Sequence, residues 1–390
     1  MADELIEKEK GVVRVGGEQN DRDMNEDAVG GNRDILNGNS PADVEVSEGK
    51  KEKKRATLIV QPESEDEGDG DEDEDIDGEN PSIEDLLADL PDDTEEIELV
   101  HSRLSNLQSL RLPRFGNNLK KLCLRQNNIS TLELDVFGPL SGLEELDLYD
   151  NKLKAIGNAL DGCSRMAVLD FSFNLLRSIP DCLNHFPSLH TIFFVQNKIS
   201  HISPGSLSSV GRTLRSLELG GNRIRKIENL EDLVNLEELW LGKNKIGKLE
   251  GLDNFLKLKI LSIQSNRIEK LEGLNNLVDL EELYISHNGI KKLEGLEGNK
   301  KLRVLDIGNN FIQKLEGLEQ LSCLEEVWAS GNQITALTDL KSQLGDKQDL
   351  ETIYLENNPV QRAEGSAYRR KIGLELPQVK QIDATFVKKF

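Results

Sequence analysis

The sequence predicts an α/β repeat: a solenoid in which short parallel strands stack into one curved sheet. Three observations predict it. One phrase recurs, most clearly from Leu236 to Leu340, and aligning its asparagines gives Asn244, Asn266, Asn288, Asn310 and Asn332, each 22 residues after the last. Apolar residues hold fixed places in the phrase, L-x-x-L-x-L-x-x-N-x-I-x-x-L-x-x-L, which is the unit of a leucine-rich repeat. No single unit can bury its own apolar side, so stacking must make the core continuous.

Each part of the unit has a physical role. The L-x-L segment, such as Leu239-Trp240-Leu241, reads as a short strand with both leucines pointing inward. The asparagine falls where the chain turns away from the strand. There an inward amide can satisfy turn backbone groups that would otherwise be buried without partners, at a cost of roughly 1–3 kcal/mol if it is lost. The second half of the unit (Ile246, Leu249, Leu252 and Phe255) closes the core from the other side, where 3-10 or irregular turns are expected.

Taken in order, residues 1–80 contain no Phe, Trp or Tyr and few long apolar runs, and are expected to be a disordered acidic tail. Two features mark it. Lys50-Lys51-Glu52-Lys53-Lys54-Arg55 is a basic cluster, either a solvated charge run or a nuclear import signal. Glu63 to Glu79 holds 12 acidic residues in 17 and reads as a solvating spacer, in which Ser64 is a candidate acceptor for an acid-directed kinase. Residues 81–110 are expected to cap the first repeat. Ser82 to Leu90 is expected to form a helix ended by Pro91, and Ile97-Glu98-Leu99 a degenerate first strand. The array proper, 111–358, carries asparagines at 127, 151, 174, 197, 222, 244, 266, 288, 310, 332 and 358. The longer early spacings are expected to be absorbed opposite the strands, as at Ser203-Pro204-Gly205-Ser206. Residues 359–390 change pattern, with helical spacing from Tyr368 to Leu376, and read as a C-terminal cap.

The formal net charge is −23. Residues 1–95 hold 32 acidic and 10 basic residues, and the rest of the chain holds 39 and 38, so the acidity belongs to the tail. A neutral solenoid with acidic residues on its strands lacks the basic footprint of a nucleic-acid binder. The four cysteines are scattered without a C-x-x-C pair, which favours a reducing compartment. No signal peptide or membrane span is read from the sequence.

The middle residue of L-x-L points away from the core, and folding is expected to make no demand on its identity. Down the array it reads Cys123, Asp147, Asp170, Phe193, Glu218, Trp240, Ser262, Tyr284, Asp306, Trp328 and Tyr354. Five of the eleven are aromatic in a chain that is 4% aromatic, four are acidic, and both tryptophans of the protein stand in this column. Strand propensity alone would explain one or two aromatics. Wet aromatics in a line are costly, and Trp and Tyr are common interface anchors. Glu145, Glu238, Glu282 and Glu326 flank the column. The surface therefore suits a protein with exposed Arg or Lys and some apolar relief. Ten strand steps of about 4.8 Å span roughly 48 Å, close to the ~50 Å diameter of a globular domain of about 300 residues. A small molecule would prefer a closed pocket.

No phosphate loop, nucleophile elbow, H-E-x-x-H motif or Cys/His cluster is present. The reading is of a non-enzyme that needs no cofactor or metal. The five histidines fall at unrelated positions, and His185 and His190 read as surface residues without a carboxylate partner.

Several phrases are more specific than the repeat itself: LCLRQNNI (122–129), EELDLYDNKLKAI (144–156), LDFSFNLLRSI (169–179), LSIQSNRI (261–268), ELYISHNGI (282–290) and YRRKIGLELPQVKQIDATFVKKF (368–390). Over about 92–390 the chain resembles the regulatory subunit 7 family of type-1 serine/threonine protein phosphatase, whose members are leucine-rich-repeat proteins. The resemblance implies a nuclear and cytoplasmic protein that holds the phosphatase catalytic subunit on its concave face. It would control that enzyme's activity, maturation or targeting, in some cases as an inhibitor and in some with the small protein inhibitor-3 in a ternary complex. By motif, the family's contact residues fall on Asp147, Asp170, Phe193, Glu218, Trp240, Tyr284, Asp306, Glu326, Trp328 and Tyr354. Trp240 stands where the family commonly has Phe, and the short docking motif with a basic residue before V-x-F is not evident. The alternative reading is a generic leucine-rich-repeat adaptor for another intracellular protein.

Overall fold

The computed structural model describes residues 55–59 and 86–387. One sheet runs through it in strict chain order. Strands β1 (Arg55–Ile59) and β2 (Glu96–Val100) open it. Eleven three-residue strands follow: β3 (Lys121–Cys123), β4 (Glu145–Asp147), β5 (Val168–Asp170), β6 (Thr191–Phe193), β7 (Ser216–Glu218), β8 (Glu238–Trp240), β9 (Ile260–Ser262), β10 (Glu282–Tyr284), β11 (Val304–Asp306), β12 (Glu326–Trp328) and β13 (Thr352–Tyr354). The sheet closes with β14 (Gln381–Ile382) and β15 (Thr385–Phe386), whose pairing is antiparallel; from β1 to β14 every pairing is parallel. The repeat solenoid expected from the sequence is the fold found. Opposite the strands the chain returns through turns and short 3-10 segments such as Asp181–His185 and Ser208–Val210, with a single four-residue helix α1 (Leu134–Phe137) in the early repeats.

The core is one continuous column. Leu239 and Leu241, Leu283 and Ile285, and their equivalents are fully buried, as are Phe255, Leu258 and the other apolar residues of the return path. The asparagines form a ladder beside it. Asn288 shows the pattern: its Nδ2 donates to the carbonyls of Ile263 (3.1 Å), Ile285 (3.1 Å) and Ser286 (3.2 Å), and its Oδ1 accepts the Ile268 N–H at 3.0 Å. Each asparagine thus ties its own turn to the preceding repeat. The turn needs a left-handed residue just before it, supplied among others by Lys243, Ser265, His287 and Asn309 at φ near +50°. On the return path Gly251, Gly273, Gly295 and Gly317 recur with φ near +70°. At Gly273 a Cβ would stand 2.8 Å from the Leu249 carbonyl oxygen, so only glycine fits there without strain.

The two ends differ in part from expectation. Within the stretch expected to be disordered, Arg55–Ile59 is a strand, paired in parallel with β2 from Arg55↔Glu96 to Ile59↔Val100. The open edge of β2 leaves a row of backbone donors and acceptors unpaired, and Ala56-Thr57-Leu58-Ile59 is a β-prone run that can satisfy them. Residues 1–54, the acidic run, Ser64 and Ser82–Asp85 lie outside the described residues. Residues 86–90 form a turn, closed by Leu90 N–H to the Leu87 carbonyl at 3.0 Å, where the end of a helix was expected. Pro91 disfavours a helical Leu90, and the Arg114 guanidinium takes the Leu87 and Leu90 carbonyls, the latter at 2.9 Å. Leu87, Leu104, Leu107 and Phe115 seal this end of the core.

At the other end, α2 (Leu340–Leu344), α3 (Pro359–Glu364) and α4 (Tyr368–Glu375) pack behind the last strands. Buried Asp383 follows β14 and caps the end of β13: its Oδ1 accepts the N–H groups of Leu355 (2.8 Å) and Glu356 (3.0 Å). The Tyr368 hydroxyl donates to the same oxygen at 3.4 Å.

Candidate protein-binding face

The strand register sets the geometry of the sheet face. Each pairing places equivalent residues side by side, so Glu218, Trp240, Ser262, Tyr284, Asp306, Trp328 and Tyr354 follow one another without a slip. In the other direction Phe193, Asp170, Asp147 and Cys123 continue the line. All ten residues picked from the sequence stand on this face, nine in the column and Glu326 two residues before Trp328 on β12.

The aromatics do not stand apart. Trp240 and Tyr284 are two strands apart, about 9.6 Å along the sheet, yet their ring centroids are 6.4 Å apart and nearly parallel at 17°. Tyr284 and Trp328 approach to 6.1 Å, and Trp328 and Tyr354 to 6.2 Å. The rings lean toward one another over the short side chains of Ser262 and Asp306, which are buried as a result. Alternation of large and small residues therefore makes one half-buried aromatic strip from Trp240 to Tyr354. The flanking glutamates orient it: Tyr284 OH donates to Glu282 Oε2 at 2.7 Å and Trp328 Nε1 to Glu326 Oε2 at 2.8 Å. Burial first, and then the hydrogen bond to Glu282, push the Tyr284 phenol well above its ordinary range, so it stays protonated. At the far end Gln381 Nε2 donates to Tyr354 OH at 2.7 Å.

The aspartates correct one expectation. Folding does place a demand on the column: Asp147 Oδ1 accepts Tyr149 N–H (3.0 Å), Asp170 Oδ1 accepts Ser172 N–H (2.7 Å), and Asp306 Oδ1 accepts Gly308 N–H (3.0 Å). Each carboxylate closes a turn two residues on and ends its strand, as Asp does in Asx turns. Loss of water raises the carboxyl pKa of Asp170 and of Asp306, opposed by hydrogen bonds from Ser172 and Ser286 respectively. These charges are held at a cost that an incoming cation would relieve. Asp147 already has one, since Arg125 Nη1 lies 2.9 Å from its Oδ2. Cys123, at the end of the line, is half-buried and its thiol is pushed up to about 11, so it remains protonated at neutral pH.

A second cluster was not picked from the sequence. The Arg125 guanidinium sits 4.1 Å from the Tyr149 ring centroid, and Tyr149 lies 4.7 Å from Phe173. Phe173 is 39% exposed and occupies the left-handed position before Asn174, which is strained for a bulky side chain. The signal was available, as an aromatic at a turn position usually filled by Gly, Asn or a polar residue. It lies outside the L-x-L column, at positions one and two residues before the ladder asparagines. His185 also differs: it lies 3.0 Å from Asp161 Oδ1, so it has the carboxylate neighbour it was thought to lack, while remaining on the surface. Among the described residues no group of three or more His, Cys, Asp or Glu side chains could hold a metal, and no helix is long and apolar enough to cross a membrane.

The fold and its ladder define a leucine-rich-repeat protein, and comparison agrees. The pattern described as "Leucine rich repeat" matches 117–176, and the pattern "Leucine Rich repeats (2 copies)" matches 212–254, 257–298 and 300–342. An internalin from Listeria monocytogenes shares the fold with a TM-score of 0.61 at 22% identity, over 76% of this chain and 82% of that one. Within that class several relatives are protein phosphatase 1 regulatory subunits, in keeping with the resemblance read from the repeat phrases, while others, such as Lumican of Coturnix japonica at 31% identity, are not. "Protein phosphatase 1 regulatory subunit SDS22" of Saccharomyces cerevisiae is 45% identical over 114 residues, 28% of this chain and 33% of that protein. "Protein phosphatase 1 regulatory inhibitor subunit PPP1R7 homolog" of Arabidopsis thaliana is 39% identical over 155 residues, 39% of this chain and 45% of that protein. The matched segments therefore span less than half the length of these relatives.

Proposed function

We propose that this chain is a non-catalytic regulatory subunit that holds the catalytic subunit of protein phosphatase 1 on its sheet face. The observation that carries the reading is the continuous aromatic strip from Trp240 to Tyr354 with desolvated aspartates beside it. Stability of the solenoid requires inward leucines and the asparagine ladder, and neither requires four touching aromatics on the open face. Such rings bury readily against a partner and lose little conformational freedom in doing so. Asp170, Asp306 and the flanking glutamates favour Arg or Lys on that partner, while Asp147 contributes less because Arg125 must first be displaced.

In this account the bound enzyme is inhibited, matured or retargeted according to which of its own surfaces the face covers. Inhibitor-3 binds alongside in a ternary complex, and the assembly acts in nucleus and cytoplasm. The test is co-purification of the phosphatase catalytic subunit with Trp240→Ala, Trp328→Ala and the double variant. Truncating such anchors costs about 2–4 kcal/mol each, so each single variant is expected to weaken binding by 30-fold or more, with the circular dichroism of the folded chain retained. Wild-type recovery by the double variant would refute the reading.

A further inference from the structure

One edge of the solenoid carries a row of cations that the fold leaves without partners and that the function proposed above does not use. We propose that the row from Lys198 to Phe311 is a second docking surface. Its occupant is an extended acidic segment of a partner protein, with one apolar residue about three residues beyond the acidic run. The inference does not rest on phosphatase binding.

The position directly after the ladder asparagine reads Lys198, Arg223, Lys245, Arg267, Gly289 and Phe311 in six successive repeats. The backbone N–H of each donates to the preceding repeat, at 2.8 Å for all but Gly289, so the residues stack at the repeat spacing. Arg223 and Arg267 are exposed, and Lys198 and Lys245 half-buried. Among the described residues none of these four side chains makes an ion pair or a hydrogen bond. Three residues further along the same turns the arrangement differs. Lys248 lies 4.0 Å and 3.5 Å from Glu250 and Glu272, and Lys270 3.8 Å and 3.6 Å from Glu272 and Glu294. The fold brackets that lysine column with carboxylates and leaves its neighbour as a row of like charges about 4.8 Å apart, which repel one another. At the end of the row Phe311 is 49% exposed.

The dimensions and the surroundings choose the occupant. Lys198 to Arg267 covers three strand steps, about 14 Å, and Arg267 to Phe311 two more, about 10 Å. An extended chain rises about 3.3 Å per residue, so four or five acidic residues cover the cations and an apolar residue three further on reaches Phe311. The row is one residue wide and has carboxylates on both sides, those of the sheet face and those of Glu250, Glu272 and Glu294 on the return path. A single polypeptide can follow such a line. A nucleic-acid duplex or a bilayer would also cover the flanking carboxylates, and no aromatic stands among the four cations for single-stranded bases to stack on. The acidic run Glu63–Glu79 of this chain is excluded by reach. Residues 60–85 start from β1 and end at Leu86, both at the first strands, and Phe311 lies nine strand steps beyond β2, about 43 Å. The path there and back, about 86 Å, would take all 26 of those residues at full extension.

The experiment follows the fluorescence anisotropy of two labelled peptides, EEEEESGL and its reverse LGSEEEEE, with the full-length chain at low salt. One of the two orders is expected to bind, and to be released as salt is raised. The triple variant Arg223→Gln, Lys245→Gln, Arg267→Gln is expected to weaken binding by about tenfold or more, and Lys248→Gln with Lys270→Gln, in the bracketed column, by less than about twofold. Phe311→Ser is expected to weaken it by roughly three- to tenfold, and to have no effect on a peptide whose leucine is replaced by glycine. These side chains lie at the surface, so circular dichroism is expected to show the folded chain in every variant. No binding of either peptide at millimolar concentration, equal binding by the triple variant, or the same effect of Phe311→Ser with and without the leucine would overturn the proposal. So would tighter binding of a twelve-nucleotide oligothymidylate or of phosphatidylserine vesicles. Carbodiimide cross-links from Lys198 and Lys245 to Glu63–Glu79 in the chain alone would assign the row to the chain's own acidic run, and would overturn it as well.

Discussion

Replacing Asn288 by alanine tests the ladder, and the structure sets the size of the effect. The substitution removes four hydrogen bonds, but their partners are not equally exposed to the loss. The Ile263 carbonyl also accepts Asn266 Nδ2 at 3.1 Å, Ile285 also accepts Asn310 Nδ2 at 3.2 Å, and Ser286 also accepts the Ser265 N–H at 3.0 Å. The Ile268 N–H donates to Asn288 Oδ1, so it is the group left orphaned. One orphaned buried donor costs about 1–3 kcal/mol and three weakened acceptor sites about 0.5 kcal/mol each, so the loss is expected to be about 2.5–4.5 kcal/mol. Asn288→Asp keeps Oδ1 but turns a carboxylate toward three carbonyls, so at neutral pH it is expected to cost more than alanine. The folded carboxyl pKa would lie above its unfolded value, so this variant should regain stability as pH falls, while the alanine variant should not. Urea unfolding of both, at pH 7 and pH 5, gives the comparison. The exposed Asn276→Ala, whose amide makes only a 3.5 Å contact to Asp253, serves as a control expected to lie within 0.5 kcal/mol of wild type. An alanine variant as stable as that control, or equal pH dependence for alanine and aspartate, would refute the reasoning.

Other consequences follow from the same geometry. Asp306→Asn retains an oxygen for the Gly308 N–H but removes the charge. It is expected to leave the melting temperature unchanged or higher and to weaken phosphatase binding by about tenfold, measured by calorimetry. Because desolvation raises the pKa of Asp170 and Asp306 in the free protein and a partner cation would lower it, binding should release protons. Affinity should then fall as pH drops through their raised pKa values, less steeply in Asp306→Asn. Gly273→Ala meets both a left-handed backbone and the Leu249 carbonyl, and is expected to destabilise by about 1–3 kcal/mol in urea unfolding.

What could be read in the sequence followed from local, periodic demands. The asparagine marks a turn whose hydrogen bonds repeat identically, so its spacing predicted the strand positions and the composition of the open column. What could not be read depends on contacts between repeats. The leaning of Trp240 and Tyr284 over Ser262 appears only when three strands are set side by side. The Asx turns of Asp147, Asp170 and Asp306 give these residues a folding role that the acidic column concealed. Arg125 and Tyr149 each stand two residues before a ladder asparagine and Phe173 one before, in three successive repeats outside the L-x-L column, and they converge only through the sheet. The strand at Arg55–Ile59 was hidden by its surroundings: five residues with strand propensity carry little weight in a charged tail until an unpaired edge is available.

The central claim is that the open face of the sheet grips another folded protein. Hydroxyl-radical footprinting of the chain with and without the phosphatase catalytic subunit tests it most directly. The account predicts strong protection of Trp240, Tyr284, Trp328 and Tyr354 in the complex, with the return-path residues Val234, Leu256 and Val278, which are exposed on the opposite side, labelled as in the free chain. Protection of those three with the aromatics still labelled would contradict it.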